Sequence, residues 1–365
     1  MSANPTGRDR LRSLDALRGF DMFWIIGGAG FVAALADATG SEALHWIAGQ
    51  CEHAEWHGFR FWDLIFPLFL FIAGVAMPFA FARRLELGDE RRTLAGHVVR
   101  RGLTLVLLGV VYNGLLTFDF EHLRYASVLG RIGLAYLLAG LLVLHTGVRA
   151  QIAWAAGLLL AYWAALAWIP VPGFGAGDLA PGATLTDWID RTLLPGRLHR
   201  TVRDPEGLLS TVPAVSTALL GALAGHWLRD GRRTGSARGA GLLAAGLVCL
   251  ALGWLWGLAF PINKNLWSSS FVMWAGGLSL LALGSFYLVI DVWGVGRWAF
   301  PFEVIGSNAI AIYMLQEFVD FDGLAAIVFA NAGHRVHGAL LLGAGLLLRW
   351  LLLYWMYRRK IFLRV

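Results

Sequence analysis

Apolar runs of bilayer-crossing length recur about ten times along this chain, each close to the ~20 helical residues that span ~30 Å of hydrocarbon. They fall at 14–35, 62–82, 102–117, 128–146, 150–170, 207–228, 239–260, 271–290, 299–319 and 338–357. A single such run could be a buried core helix, but a series of this kind predicts an all-α, polytopic transmembrane helix bundle. The whole of 1–365 then forms one transmembrane domain. Only 15% of the residues are charged and 58% are hydrophobic. A soluble domain carries about a quarter charged residues, so this chain lacks the polar side chains to cover a water-exposed surface. The stretch 320–337 is ambiguous, and Phe321 to Ala332 has the length of a re-entrant segment.

The cations test this scheme. With both termini cytoplasmic, Arg8, Arg10, Arg12, the Arg83–Arg101 loop, Arg149, Arg229–Arg238, Arg297 and the Arg358–Arg364 tail place 19 of the 30 Lys and Arg inside. The opposite loops hold eight, among them Arg60, Arg124, Arg203, Lys264 and Arg335, and Arg18, Arg131 and Arg349 fall within spans. That asymmetry follows the positive-inside rule for an even number of spans. It also accounts for the net charge of +6 without nucleic acid, since arginines beside anionic lipid act as topology anchors. Asp15, Arg18 and Asp21 interrupt the first apolar run, which predicts a retained span rather than a cleaved signal peptide. The two long loops, about 36–61 and 171–206, are extracytoplasmic in this topology. No Walker motif or dinucleotide fingerprint is present, so any chemistry belongs to the membrane domain and its outer loops.

Chemistry-bearing residues concentrate before the second span, in Cys51-Glu52-His53-Ala54-Glu55-Trp56-His57-Gly58-Phe59-Arg60-Phe61-Trp62-Asp63. Histidine is the natural general base near neutral pH, and a carboxylate such as Asp63 can orient it. Trp56 and Trp62 offer faces for a sugar ring, and Glu52 adds a carboxylate. A metal is the sharp alternative, because His53 and His57, four apart, would share a helix face. No third ligand is specified by the spacing, and no metal is expected.

Two further polar clusters share that side. They are Asp204-Pro205-Glu206-Gly207, at the start of the sixth span, and Asn263-Lys264-Asn265, between the seventh and eighth. Helix capping would explain either alone; together with the first cluster they suggest one pocket for a polar substrate. In the ninth span Asn308 lies too deep to be a cap, so it bonds a neighbouring helix or lines a path. Asp15 and Arg18 share one helix face and can pair, as a structural ion pair or as a polar lining for a ligand. Arg101 and Arg131 are expected to hold anionic groups near the cytoplasmic face, since an arginine inside an apolar run needs a partner.

These segments, in their order along the chain, resemble the heparan-α-glucosaminide N-acetyltransferase family of transmembrane acyltransferases, in its short bacterial form. The matching stretches are Arg12–Gly19, His53–Gly58 through Asp63–Pro67, Asp204–Gly207, Ile262–Ser268 and Gly306–Asn308. The resemblance implies an acyltransferase that takes the acetyl group of cytoplasmic acetyl-CoA and passes it to the amine of an amino sugar on the outer side. It places the family's active-site histidine at His53. Arg18, Arg101 and Arg131 would then face the CoA phosphates, while Asp15, Glu52, Trp56, Asp204, Glu206, Asn263, Lys264, Asn265 and Asn308 would line the acceptor's path. The expected partners are acetyl-CoA, an amino sugar or glycan and membrane lipid, with no nucleic acid; a homodimer stays open. The expected location is a bacterial inner membrane.

A sugar transporter without chemistry and an O-acyltransferase acting on an envelope glycan remain as alternatives. No internal repeat is seen, which counts against a two-halved transporter.

Overall fold

The computed structural model describes residues 11–330 and 338–363. Arg8, Arg10, Arg335 and Arg364 of the charge pattern lie outside them, as does the 331–337 part of the ambiguous segment.

In chain order the helices are α1 (Arg12–Thr39), α2 (Glu42–Gln50), α3 (Trp62–Glu86), α4 (Arg91–Tyr112), α5 (Val128–His145), α6 (Val148–Trp168) and α7 (Leu185–Leu193). There follow α8 (Thr211–Arg229), α9 (Gly235–Gly257), α10 (Ser269–Val292), α11 (Phe300–Ser307), α12 (Ala309–Phe318), α13 (Phe321–Ala330) and α14 (Gly338–Arg358). Among the described residues the only β-type pairings are isolated bridges. Nine of these helices are long and apolar enough to cross a membrane, and the chain is a multi-pass integral membrane protein. Leu107, Leu160, Leu247, Leu252 and Leu347 stay exposed on their helices, as a lipid-facing surface requires.

Helices α3 and α8 form the centre: 72% of each apolar window is buried, against 28% for α4, α6, α9 and α14 at the periphery. Lipid tails are as apolar as leucine, so helices associate in a membrane by close backbone approach rather than by a hydrophobic drive. Gly74 of α3 lies against the Ala218 carbonyl of α8, and Gly221 of α8 against the backbone of Phe71, leaving no room for a Cβ at either position. Gly19 and Gly306 join α1 to α11 in the same way. Helix α1 contains a π-helical turn at Trp24–Gly28, with Gly27 at φ 130°, a conformation that only glycine adopts without strain.

The span expected at 299–319 differs. It is two short helices, α11 and α12, broken at Asn308 (φ −135°, ψ 36°). The Asn308 side chain explains the break: its amide nitrogen donates to the Ile361 carbonyl (2.9 Å) and its oxygen accepts from Leu363 N (2.9 Å), tying the interruption to the C-terminal segment. In the ambiguous segment, Phe321–Ala330 is helical, and its Asp322 takes both Nη atoms of Arg349 at 2.8 and 3.0 Å. That supplies the partner an arginine within a span needs. Asp15 and Arg18 pair at 3.4 Å, as their spacing predicts.

Candidate active site

The stretch between α2 and α3 is irregular rather than helical over residues 51–61, so His53 and His57 share no helix face. His53 instead turns to Asp63, the second residue of α3, with Nδ1 2.8 Å from Oδ1. The other carboxylate oxygen of Asp63 accepts from Ala54 N (3.2 Å) and Arg60 N (3.0 Å). Asp63 is fully buried while half of the His53 side chain remains accessible. An acceptor at Nδ1 fixes the tautomer: Nδ1 carries the hydrogen, and Nε2 keeps the lone pair, 3.3 Å from Lys264 Nζ.

The loop between α9 and α10 closes the other side. Gly58 N donates to Ile262 O (2.8 Å), and His57 Nδ1 lies 3.3 Å from Asn263 Nδ2. Lys264 brings Nζ to 3.1 Å from His53 Nδ1, 3.3 Å from Nε2 and 3.8 Å from Asp63 Oδ1. Burial pushes the Lys264 ammonium down from its ordinary range, against the opposing pull of Asp63 and Glu206. Burial likewise lowers His57. Asn265 follows Lys264, half-buried.

A cavity of about 200 Å³ opens here. His53, Trp62, Lys264 and Glu206 form its polar part. Met22 and Ile25 of α1, Ile65, Phe66 and Phe69 of α3, Val128, Leu129 and Ile132 of α5, and Ile310 and Tyr313 of α12 make the remaining wall. An apolar slot ending at a histidine–aspartate pair suits an acyl chain or thioester whose carbonyl meets a base.

The third side is the 204–210 segment. Arg124 Nε and Nη2 reach Asp204 at 2.7 and 2.6 Å, and Nη2 also bonds Glu206. Asp204 accepts in addition from His199 N and Glu206 N, so its lone pairs are occupied and it holds the loop, while Glu206 borders the cavity. These contacts hold the Asp204 carboxyl below the usual range despite its burial. Asp190 of α7 accepts from Leu208 N at 2.8 Å; burial, aided by Asp204 and Asp187, pushes it up to about 7.

Other expected site residues fall elsewhere. Arg131 was expected beside Arg101 near the cytoplasmic face. It lies instead one turn into α5, at the end of the bundle that carries Glu206: its Nη2 bonds Ser210 Oγ and its guanidinium stacks 4.9 Å from the Trp267 ring. Antiparallel packing of α4 and α5 is the reason, since it sets Gly109 beside Ser127 and Gly102 beside Gly133. Arg101 lies over Tyr136 at 4.6 Å, and its Nε has no hydrogen-bond partner. Trp56 donates to Leu179 O (2.9 Å) and carries Arg203 over its ring at 4.3 Å, so it clasps the 36–61 and 171–206 loops together. Trp62 is the indole that borders the cavity. Glu52 pairs with Arg60 at 3.0 Å on the surface. Asp15, Arg18, Arg101 and Asn308 do not line the cavity. Arg124 and Tyr313, by contrast, carry no local signal: one is a lone loop cation in the sequence and the other an ordinary apolar-run tyrosine.

No family model matches the chain. Among curated proteins it is similar to heparan-alpha-glucosaminide N-acetyltransferase of Homo sapiens, 27% identical over 422 residues that cover 98% of this chain and 60% of that protein. The Mus musculus protein of the same name is 26% identical, over 98% of this chain and 61% of its own length. The chain thus spans about 60% of the length of the curated relatives it matches. The chain is thus similar, through nearly all of its residues, to these two heparan-alpha-glucosaminide N-acetyltransferases, and His53, paired with Asp63, borders its cavity.

Proposed function

We propose that this protein is a transmembrane acetyltransferase that moves the acetyl group of acetyl-CoA to the amine of an amino sugar, the donor entering from the cytoplasm and the acceptor from the opposite side. The observation that carries this reading is the His53–Asp63 pair, 2.8 Å apart, at the polar part of a largely apolar cavity within the helix bundle. An amine bound there gives its proton to His53 Nε2 while its nitrogen attacks the thioester carbonyl carbon; collapse breaks the C–S bond, and the thiolate takes that proton to leave as CoA thiol. Asp63 keeps Nδ1 protonated throughout and offsets the charge that appears on the ring. Glu206, bordering the cavity and already paired with Arg124, would receive the acceptor's ammonium, which releases one proton to solvent to become the amine that attacks. Arg18 and Arg101 remain the candidates for the CoA phosphates, away from the cavity.

Purified protein incubated with acetyl-CoA and a panel of amino sugars tests the reading by mass spectrometry of products. An N-acetyl sugar is expected, and His53→Ala should lower the rate by at least about a hundredfold, the usual scale for a lost general base. Intact acetyl-CoA after incubation would favour a transporter, and an ester product would favour O-acyl transfer. Near-normal transfer by His53→Ala would refute the mechanism while leaving the family untouched.

A further inference from the structure

The thioester carbonyl becomes an oxyanion when the amine attacks, and a low-dielectric site must meet that charge with a donor already in place. Among the described residues bordering the cavity, Lys264 is the only cation. Its Nζ lies within 3.3 Å of both ring nitrogens of His53 but 3.8 Å from Asp63 Oδ1, beyond hydrogen-bond range. Asp63 is already supplied by His53 Nδ1, Ala54 N and Arg60 N and forms only a long ion pair with Nζ, so an ammonium with three hydrogens keeps one to offer a ligand beside His53.

The loop that carries Lys264 is held in one shape by its own bonds. Asn263 Oδ1 accepts from Leu266 N at 2.9 Å, and Ser268 Oγ accepts from Asn263 N at 3.0 Å while donating to Pro261 O at 2.9 Å. Trp267, wholly buried, takes the left-handed φ of 51°, rare for a large side chain, and is anchored by Nε1 to Thr217 Oγ1 at 3.1 Å. Strain kept by surrounding structure is characteristic of positions where geometry matters to function.

We propose that Lys264 is a second catalytic residue, donating from Nζ to the acyl oxygen as it becomes an oxyanion. This rests on the acetyl-transfer reading above. In the step, the amine nitrogen bonds the carbonyl carbon, the carbonyl π pair moves to oxygen and is met by an Nζ hydrogen, and the amine proton goes to His53 Nε2. On collapse the oxygen pair re-forms the carbonyl, the C–S bond breaks, and the thiolate recovers the proton from His53. Lys264 keeps its own protons throughout. A lysine that merely bound the acceptor would act on KM, and one that merely neutralised Asp63 would act on stability.

The test measures kcat, KM for glucosamine, acetyl-CoA affinity and thermal midpoint for wild type, Lys264→Met and Lys264→Arg. Lys264→Met is expected to lower kcat by about 10²–10³-fold, the scale of one lost oxyanion donor, with acetyl-CoA affinity and acceptor KM within about threefold. Lys264→Arg, which keeps charged donors, should recover at least about tenfold of that loss. If the Met variant does not fold, Lys264→Gln decides, with at least about a tenfold fall in kcat expected. A kcat within about threefold of wild type, or a loss confined to acceptor KM, overturns the proposal. Wild type that transfers no acetyl group to any amino sugar overturns the underlying reading as well, so the two failures are distinct.

Discussion

Replacing Asp63 by asparagine keeps the shape of the site and changes which nitrogen of His53 holds the proton. In the native site one carboxylate oxygen faces His53 Nδ1 and the other faces two backbone donors, Ala54 N and Arg60 N. Asparagine has one oxygen and one NH₂. Turning the NH₂ toward the backbone would leave two part-buried N–H groups facing a donor, at about 1–3 kcal/mol each, so the oxygen stays on that side. The NH₂ then meets Nδ1, which must accept, and the ring hydrogen moves to Nε2, where it blocks proton uptake. Restoring the productive tautomer costs about 2–6 kcal/mol, or roughly 30-fold to 3 × 10⁴-fold in rate at 1.36 kcal/mol per tenfold. That range brackets the usual worth of a general base, about 10²–10⁴. Acetyl-CoA turnover, followed as released thiol in the presence of glucosamine, should therefore fall by that factor in kcat, with the thermal midpoint close to wild type. A folded Asp63→Asn variant that keeps more than about a third of wild-type kcat, while His53→Ala is inactive, would refute the tautomer argument.

Two further predictions concern the loops that border the site. Arg124→Met strips the only side-chain cation bonded, among the described residues, to Asp204 and Glu206, whose side chains are 0% and 10% exposed, and should destabilise by about 3 kcal/mol or more, read as a lower thermal midpoint; an unchanged midpoint would refute it. Asp190 has its folded value raised to about 7 above an unfolded value near 4, so its native site favours the protonated form and the stability this contributes is lost as pH rises between those values. Asp190→Asn, which retains an acceptor for Leu208 N, should thus match wild type below about pH 4 and exceed it above about pH 7; equal thermal midpoints across that window would refute the assignment.

The sequence alone determined the class of molecule, because crossing a bilayer is a local demand: each apolar run has to satisfy its own length and polarity wherever its neighbours lie. The 51–63 segment also stood out, since two histidines and a carboxylate at the edge of an apolar run are conspicuous without any partner, and His53 and Asp63 within it are close enough in sequence for their contact to be expected. What could not be read is pairing between segments distant in the chain. Lys264 meets His53 across 211 residues and Arg124 meets Asp204 across 80, and nothing in either segment states the contact. Arg131 was misplaced because the depth of a residue within a span does not tell which partner satisfies its charge; the antiparallel fit of α4 and α5 brought it to Ser210 and Trp267. Asn308 was recognised as too deep for a cap, yet only the fold revealed that its amide holds the C-terminal backbone and breaks a helix that hydropathy reads as continuous. Hydropathy sums over neighbours in the chain, whereas hydrogen bonds and ion pairs are settled between neighbours in space, and in a membrane each such group must find its partner within the protein.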